Sequence, residues 1–238
     1  MTQAKELLIQ VVKSIETLRL QTSSPVHATV YGAWGTGKSH ASQEVANEIH
    51  NVFYVKIPDG SISKSRLVKL LALALGSGYR HLYEGTLDLM KYHILEKGLA
   101  HPIFILDEAQ RVFKNNQIMS ELKDLSEDPA LRFSYIFLGD NSTPQVYASH
   151  PHSLHKRILI RKELKPLSLK TIKHLAKHFE IPQDEKTIKI VEEFGKSRKW
   201  TTINVAFLFS YLKPLLKKGK IKQLDKTILE KLSENLGM

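Results

Sequence analysis

Two groups of residues in this 238-residue chain have the types and spacing to handle a phosphate chain. The first is Gly32-Ala33-Trp34-Gly35-Thr36-Gly37-Lys38-Ser39, which satisfies the pattern G-x-x-x-x-G-K-[ST] at every required position. Glycines let the backbone curl tightly enough to turn several N–H groups onto phosphate oxygens, and the helix that follows adds its unpaired amides and positive dipole end. In that arrangement Lys38 reaches the β- and γ-phosphates of ATP and the Ser39 hydroxyl ligates Mg²⁺. The second group is Asp107-Glu108, directly after the apolar run Pro102-Ile103-Phe104-Ile105-Leu106. Acids that follow a parallel strand buried on both faces lie at the carboxyl edge of a sheet, where α/β folds bind ligands. One carboxylate there can complete a Mg²⁺ shell and its neighbour can polarise an attacking water. A further polar tip, Gly139-Asp140-Asn141, closes the apolar run Phe133–Leu138. Either Asn141 or Asp140 orients that water or senses phosphate loss, or the three residues simply build a turn from favoured turn residues.

These groups need strands and helices to hold them, and the pattern supplies both. His27–Tyr31 reads as a short β-branched strand before the phosphate loop, and Ser39–His50 as the helix after it. Val52–Ile57 is a second strand, closed by the turn Pro58-Asp59-Gly60. Ser63 caps a helix through Leu67–Leu75, stopped by Gly76-Ser77-Gly78, and Thr86–Glu96 forms another. Met119–Leu125 is helical in pattern, and Leu154–Arg161 is a helix end running into a last strand. Upstream of all this, Leu7, Leu8, Val11, Ile15 and Leu18 share one face of a helix over residues 4–20, which packs on the α/β core. Downstream, Pro166 marks a boundary. Helices then begin at Ser168, at Pro182–Glu185, at Trp200 or Thr201, and at Leu224, as a compact bundle. The expected division is an N-terminal helix over 1–24, an α/β nucleotide-binding core over 25–166 and a basic helical domain over 167–238.

Composition excludes several classes. Hydrophobic residues make up 42% and charged residues 25% of the chain, as in a globular protein with a core of its own. No apolar run is long enough to span a bilayer, and polar residues punctuate Leu7–Leu20 where a secretory signal would be continuous. With no cysteine there is no disulfide, thiolate metal site or thiol catalysis, which fits a cytoplasmic protein. Residues 1–150 carry 15 Lys/Arg against 15 Asp/Glu, while residues 151–238 carry 20 against 9, so the whole net charge of +11 lies in the second part. A neutral front and a basic back point to a polyanionic partner, most simply nucleic acid, against the plainer reading of a solvated lysine-rich surface.

The ordered set of a phosphate loop, Ile105-Leu106-Asp107-Glu108-Ala109-Gln110, a strand ending in Gly139-Asp140-Asn141, an arginine before the last strand and a helical lid resembles the AAA+ ATPases. With Lys156-Arg157-Ile158-x-x-Arg161-x-x-Leu164-x-Pro166-Leu167 it is similar to the branch that holds the transposition regulators MuB, TnsC and TniB, together with ExeA-type and Orc/Cdc6-type ATPases. The resemblance implies a P-loop core with a parallel five-stranded sheet flanked by helices, plus a small C-terminal lid. It implies Mg²⁺-dependent ATP hydrolysis, with Lys38 and Ser39 on phosphate and metal, Asp107 associated with Mg²⁺ and Glu108 activating water. Arg157 falls where the family places the arginine finger that reaches a neighbouring subunit's nucleotide, with Arg161 as its competitor. Arg198 falls near the lid residue that contacts phosphate. The branch further implies a homo-oligomer, filament or ring, on double-stranded DNA, and a transposase as partner. By resemblance to TnsC-like proteins the DNA-facing residues would be Lys64, Arg66 and Thr86. The charge split adds Lys196, Arg198, Lys199 and Lys217-Lys218-Gly219-Lys220 to them, a placement that does not fully agree with the first. Rival readings are an ExeA-like ATPase acting on a protein, an Orc/Cdc6-like initiator or helicase loader, and a small-molecule kinase.

Overall fold

The computed structural model describes residues 2–22, 24–60, 62–76, 86–165, 167–219, 221 and 224–236. Five strands, β1 (His27–Gly32), β2 (Val52–Lys56), β3 (Ile103–Asp107), β4 (Ser134–Gly139) and β5 (Ile158–Leu164), form one parallel sheet in the order β2-β3-β4-β1-β5. Every residue of β3 and β4 is buried, as continuous apolar runs in a doubly covered sheet require. The register pairs Asp107 with Leu138 and Tyr31 with Gly139, so β3, β4 and β1 end in that order, each about one residue beyond the last. That alignment brings the three polar strand tips of the sequence to one edge.

Helices α1 (Gln3–Thr22), α2 (Lys38–Glu48), α3 (Lys64–Ala74), α4 (Thr86–Glu96), α5 (Gln110–Phe113), α6 (Asn116–Glu127) and α7 (Thr143–Ser149) accompany the sheet. A 3₁₀ turn over Ser153–Arg157 leads into β5. Side chains alternate across a strand. Val55, Phe104, Leu106, Tyr135 and Phe137 therefore join one core with α3, α4, α5 and α6, while Ile103, Ile105, Ile136 and Leu138 are buried on the opposite face. Asn115 starts α6 by accepting the amides of Gln117 and Ile118 on Oδ1. Ser63 caps α3 as its position in the sequence predicts. The short helices α5 and α7 have too few turns to show a periodicity in the sequence.

Four more helices, α8 (Leu169–His178), α9 (Glu185–Ser197), α10 (Thr202–Lys217) and α11 (Lys226–Asn235), enclose a separate core built on Ile172, Val191, Trp200, Leu208, Phe209 and Leu229. Ser168, Asp184 and Asp225 cap α8, α9 and α11 through side-chain oxygens on the amides of Thr171, Thr187 and Ile228. Among the described residues the chain divides into two compact units. One takes Met1–Glu6, Gly32–Lys38 and Leu164–Met238, and the other Leu7–Tyr31 and Ser39–Glu163. The phosphate loop thus groups with the C-terminal helices, a link across more than a hundred residues that local pattern does not contain. The expected stop at Ser77-Gly78, the Pro166 boundary and Lys220 fall outside the described residues. No described helix is long and apolar enough to cross a membrane.

His27 is fully buried at the start of β1, where its Nδ1 accepts the Tyr135 amide at 3.1 Å and its ring stacks on Tyr135. Burial, reinforced by the charges of Arg157 and Arg19, pushes its pKa down to about 3. His155, partly buried and near His152 and Arg161, is pushed down to about 4. Both imidazoles are neutral in the fold, whereas the unfolded chain takes up protons below about pH 6.5. Their contribution is therefore complete above pH 6.5 and is lost as pH falls towards the folded values. For His27 at pH 4 the loss approaches about 3 kcal/mol, at about 1.4 kcal/mol per unit. Chemical denaturation between pH 7 and pH 4 should show this decline. His27→Asn, which keeps an acceptor for the Tyr135 amide but does not titrate, should flatten a large part of it.

Candidate functional site

The phosphate loop leaves β1 at Gly32 and enters α2 at Lys38. Gly35 and Gly37 hold φ of +74° and +82°, in the left-handed region that L side chains avoid. A Cβ on Gly37 would meet nothing within 4 Å, so backbone conformation alone asks for glycine there. On Gly35 it would lie 2.4 Å from Thr201 Oγ1, so Gly35 is required by space as well. The Gly35 carbonyl also accepts the Ile203 amide at 3.1 Å, satisfying a donor in the first turn of α10. Lys38 Nζ folds back along the loop, donating to the carbonyls of Gly32 at 2.7 Å and Ala33 at 2.8 Å and to Thr36 Oγ1 at 3.2 Å. Its ammonium is thereby held by oxygens of the loop itself. Trp34 projects outward and is 75% exposed.

Ser39 and Asp107 are joined by a residue that spacing did not single out. Tyr54, on β2, donates from its hydroxyl to Asp107 Oδ2 at 2.7 Å and is within hydrogen-bonding reach of Ser39 and Gln43. Sheet parity explains the meeting. Tyr54 pairs with Ile105, so it points to the same face as Asp107, two residues on. Burial first, then the hydrogen bond to Asp107, raises the Tyr54 pKa, so the phenol stays a donor. A buried carboxylate and a hydroxyl gathered around one phenol make an all-oxygen donor set, the chemistry that fits Mg²⁺. The sequence carried no signal for Tyr54 beyond its place on a strand, because the register between β2 and β3 was needed.

Glu108 sits just past the end of β3 with φ of +65°, uncommon for a residue with a side chain and costing about 1–2 kcal/mol. Its amide donates to Asp107 Oδ1 at 3.0 Å, and its carboxylate accepts Gln110 Nε2 at 2.7 Å. Arg111 Nη2 lies 3.5 Å from the same carboxylate and 2.5 Å from Asp59 Oδ1, while Nη1 donates to the Ile57 carbonyl at 2.9 Å. Gln110, Arg111 and Asp59 are thus further polar neighbours of the candidate base. Beside them Gly139 is closed in. A Cβ there would fall 2.0 Å from Thr143 Oγ1 and 3.0 Å from Gln110 Oε1, and both of those buried oxygens lack a hydrogen-bond partner.

The remaining candidates have these positions. Asp140 Oδ1 accepts the amide and hydroxyl of Ser142, the hydrogen bonding of an Asx turn, and Asn141 is exposed next to it. Arg157 closes the 3₁₀ turn and pairs with Glu127 at 2.6 Å. Arg161, on β5, donates to the Tyr147 hydroxyl at 2.8 Å and stacks over that ring. Arg198 follows α9 and lies over the Phe194 ring. Of the candidate DNA contacts, Lys64 pairs with Glu121 and Lys196 with Glu192. Arg66 and Lys199 are exposed, and Thr86 begins α4. Lys217 pairs with Glu180, and Lys218 is exposed.

A family model described as an AAA domain matches residues 21–146. Solved structures with this fold include the ORC2 protein of Aeropyrum pernix with ADPNP and ADP, at a TM-score of 0.66 and 13% identity, covering 94% of this chain and 66% of that one. The RuvB Holliday junction branch migration motor of Thermotoga maritima is similar at a TM-score of 0.61 and 16% identity, covering 97% and 68%. AMPPCP-bound DnaA from Aquifex aeolicus follows at 0.55 and 21%, covering 92% and 63%. The chain therefore spans about two thirds of the length of these neighbours. No curated protein matches it.

The loop geometry separates the two glycines. Gly35→Ala should cost about 2–4 kcal/mol through strain plus overlap with Thr201, and Gly37→Ala about 1–2 kcal/mol through strain alone, read as shifts in denaturant midpoint. Tyr54→Phe removes one hydrogen bond to Asp107, worth about 1 kcal/mol. It should raise the Mg²⁺ concentration needed for half-maximal ATP binding by about fivefold, with little change in binding of metal-free nucleotide.

Proposed function

The chain belongs to the AAA domain family, and from that premise we propose that it is a Mg²⁺-dependent ATPase. We further propose that it assembles with its own copies on duplex DNA and regulates a transposase. The observation that carries the first part is the convergence of Ser39, Tyr54 and Asp107, with Glu108 one residue on, in a chain whose phosphate loop has both left-handed glycines in place. Mg²⁺, when bound, would supply charge neutralisation to the phosphate oxygens. Ser39 and Asp107 would hold it. Lys38 would leave its loop carbonyls for the phosphates, exchanging neutral acceptors for charged ones. Glu108 would release Gln110 and Arg111 to take the proton of an attacking water.

The assembly rests on Arg157, read as the finger that enters a neighbour's site, and Arg198, read as the lid contact to phosphate. For Arg157 to act in trans its pair with Glu127 must exchange for phosphate, a stronger acceptor for a guanidinium. The DNA reading rests on the excess of 11 positive charges in residues 151–238, which suits phosphate contacts without base readout. Arg66 and Lys199 are better placed for it than Lys64 and Lys196, whose ammonium groups already hold carboxylates. The division into an N-terminal helix, a core to 166 and a lid remains part of this proposal.

A second reading, an initiator or helicase loader of the Orc/Cdc6 kind, is favoured by the likeness to ORC2 and DnaA. Negative-stain imaging with and without duplex DNA, in ATP, ADP and a slowly hydrolysed analogue, tests both. Continuous polymers on any duplex in ATP, stabilised by Glu108→Gln and lost above about 0.3 M salt, are expected for the first. Arg157→Ala should retain ATP binding and lose about 10³-fold in turnover. Small complexes confined to one duplex sequence would favour the initiator. A monomer saturated with ATP beside DNA would remove the assembly.

A further inference from the structure

Among the described residues, β5 is the outermost strand of the sheet and pairs with β1 alone. Its outer edge therefore presents backbone donors and acceptors that the sheet does not use. A groove of about 550 Å³ runs along this strand, lined by Leu159, Ile160, Arg161 and Lys162, with Lys13, Ser14, Thr17 and Leu18 of α1 as the opposite wall. Neighbouring residues of a strand point to opposite faces, so a groove that touches four in succession meets the strand edge-on. It is shallow and open to solvent along one side, as a surface that receives an extended segment must be. Four residues of strand span about 10 Å, and the α1 wall from Lys13 to Leu18 spans about 7.5 Å, so the two walls match a segment of about four residues.

The walls also state what that segment should carry. Lys13 and Lys162 are exposed cations with no acid among the lining residues, Ser14 and Thr17 add hydroxyls, and Leu18 and Leu159 add apolar contact. The Arg161 guanidinium is turned onto Tyr147, so its stem rather than its charge lines the groove. Lysine on an edge strand ordinarily discourages pairing with other strands. Here the positive edge instead selects for a negative partner. An all-apolar or basic strand is disfavoured, and an acidic one is drawn in.

We propose that this groove is a docking site for an extended acidic segment of a partner protein, which adds to β5 as a sixth strand and places carboxylates against Lys13 and Lys162. Main-chain hydrogen bonds give the affinity, and alternate side chains the choice of partner. The site is independent of the nucleotide chemistry, and neither lysine belongs to it.

The probe is an end-capped, fluorescein-labelled heptapeptide alternating glutamate and valine, titrated into the full chain by anisotropy. Two further versions carry N-methyl groups on the odd or on the even residues, which removes one row of donors while leaving charge unchanged. The parent peptide should bind, one methylated version should lose binding at least tenfold, and the Lys13→Glu/Lys162→Glu variant should bind the parent about tenfold more weakly with unchanged basal ATPase activity. Hydrogen exchange should slow at alternate amides within residues 159–162 when the parent peptide is present. Failure of the parent to bind, equal binding of all three peptides, or unchanged exchange along β5 would each overturn the proposal. So would a 20-base-pair duplex that binds through Lys13 and Lys162 where the peptide does not, since the groove would then belong to nucleic acid.

Discussion

The left-handed turn at Gly35 is the constraint on which the phosphate loop depends. Only a residue without a Cβ can take φ of +74° while its Cα approaches Thr201 this closely, and only then can its carbonyl reach the Ile203 amide. One residue thereby serves both the curvature of a phosphate cradle and the first turn of α10. Any group that reshapes the loop must also act on that helix start, because a carbonyl cannot move away from an amide without leaving a donor unsatisfied. Thr201 is fixed in turn by Asn204 Oδ1, which accepts both its amide and its hydroxyl. The loop is thus braced by a small polar network, and the backbone strain is confined to glycines.

The acids on β3 are managed differently. Asp107 is buried and held by Tyr54, while Glu108 occupies a strained backbone position and is held by Gln110 and Arg111. Adjacent carboxylates in a low-dielectric setting would repel each other unless each had its own donors. The structure gives them separate sets, one from β2 and one from α5. The two consecutive acids are thus held by different partners, Asp107 by Tyr54 and Glu108 by Gln110 and Arg111. Storing such strain is tolerable only where surrounding packing over-determines the backbone, and the buried Ala109, Val112 and Phe113 supply that support.

The positive charge of the second part of the chain is not evenly available. Lys213 and Lys217 both grip Glu180, pulling its carboxyl down to about 2, and Lys189 and Lys196 pair within α9 to Glu185 and Glu192. Exposed pairs of this kind contribute little stability, yet they occupy ammonium groups that a simple count treats as free. Among the described residues, Lys199 and Lys218, together with Lys162 on the sheet edge, are exposed and take no part in these pairs.

Legibility in the sequence depended on how far apart the partners of each feature lie. The phosphate loop, the strand ending in Asp107-Glu108, the capping residues Ser63 and Ser168, the boundaries of α4 and the starts of α8 and α10 to within a residue or two are local facts. Spacing, capping chemistry and hydrophobic period are written within a dozen residues, so the sequence determined them by itself. The α/β class and the parallel sheet came from the unbroken apolar runs of β3 and β4. Tyr54 beside Asp107, Arg157 against Glu127, the grouping of Gly35 with Thr201, and the groove between α1 and β5 could not be read this way. Each joins residues tens to more than a hundred positions apart, and their meeting depends on strand order, register and the side to which each strand points. Only the tertiary structure decided them, because a one-residue change of register would send every such side chain to the other face.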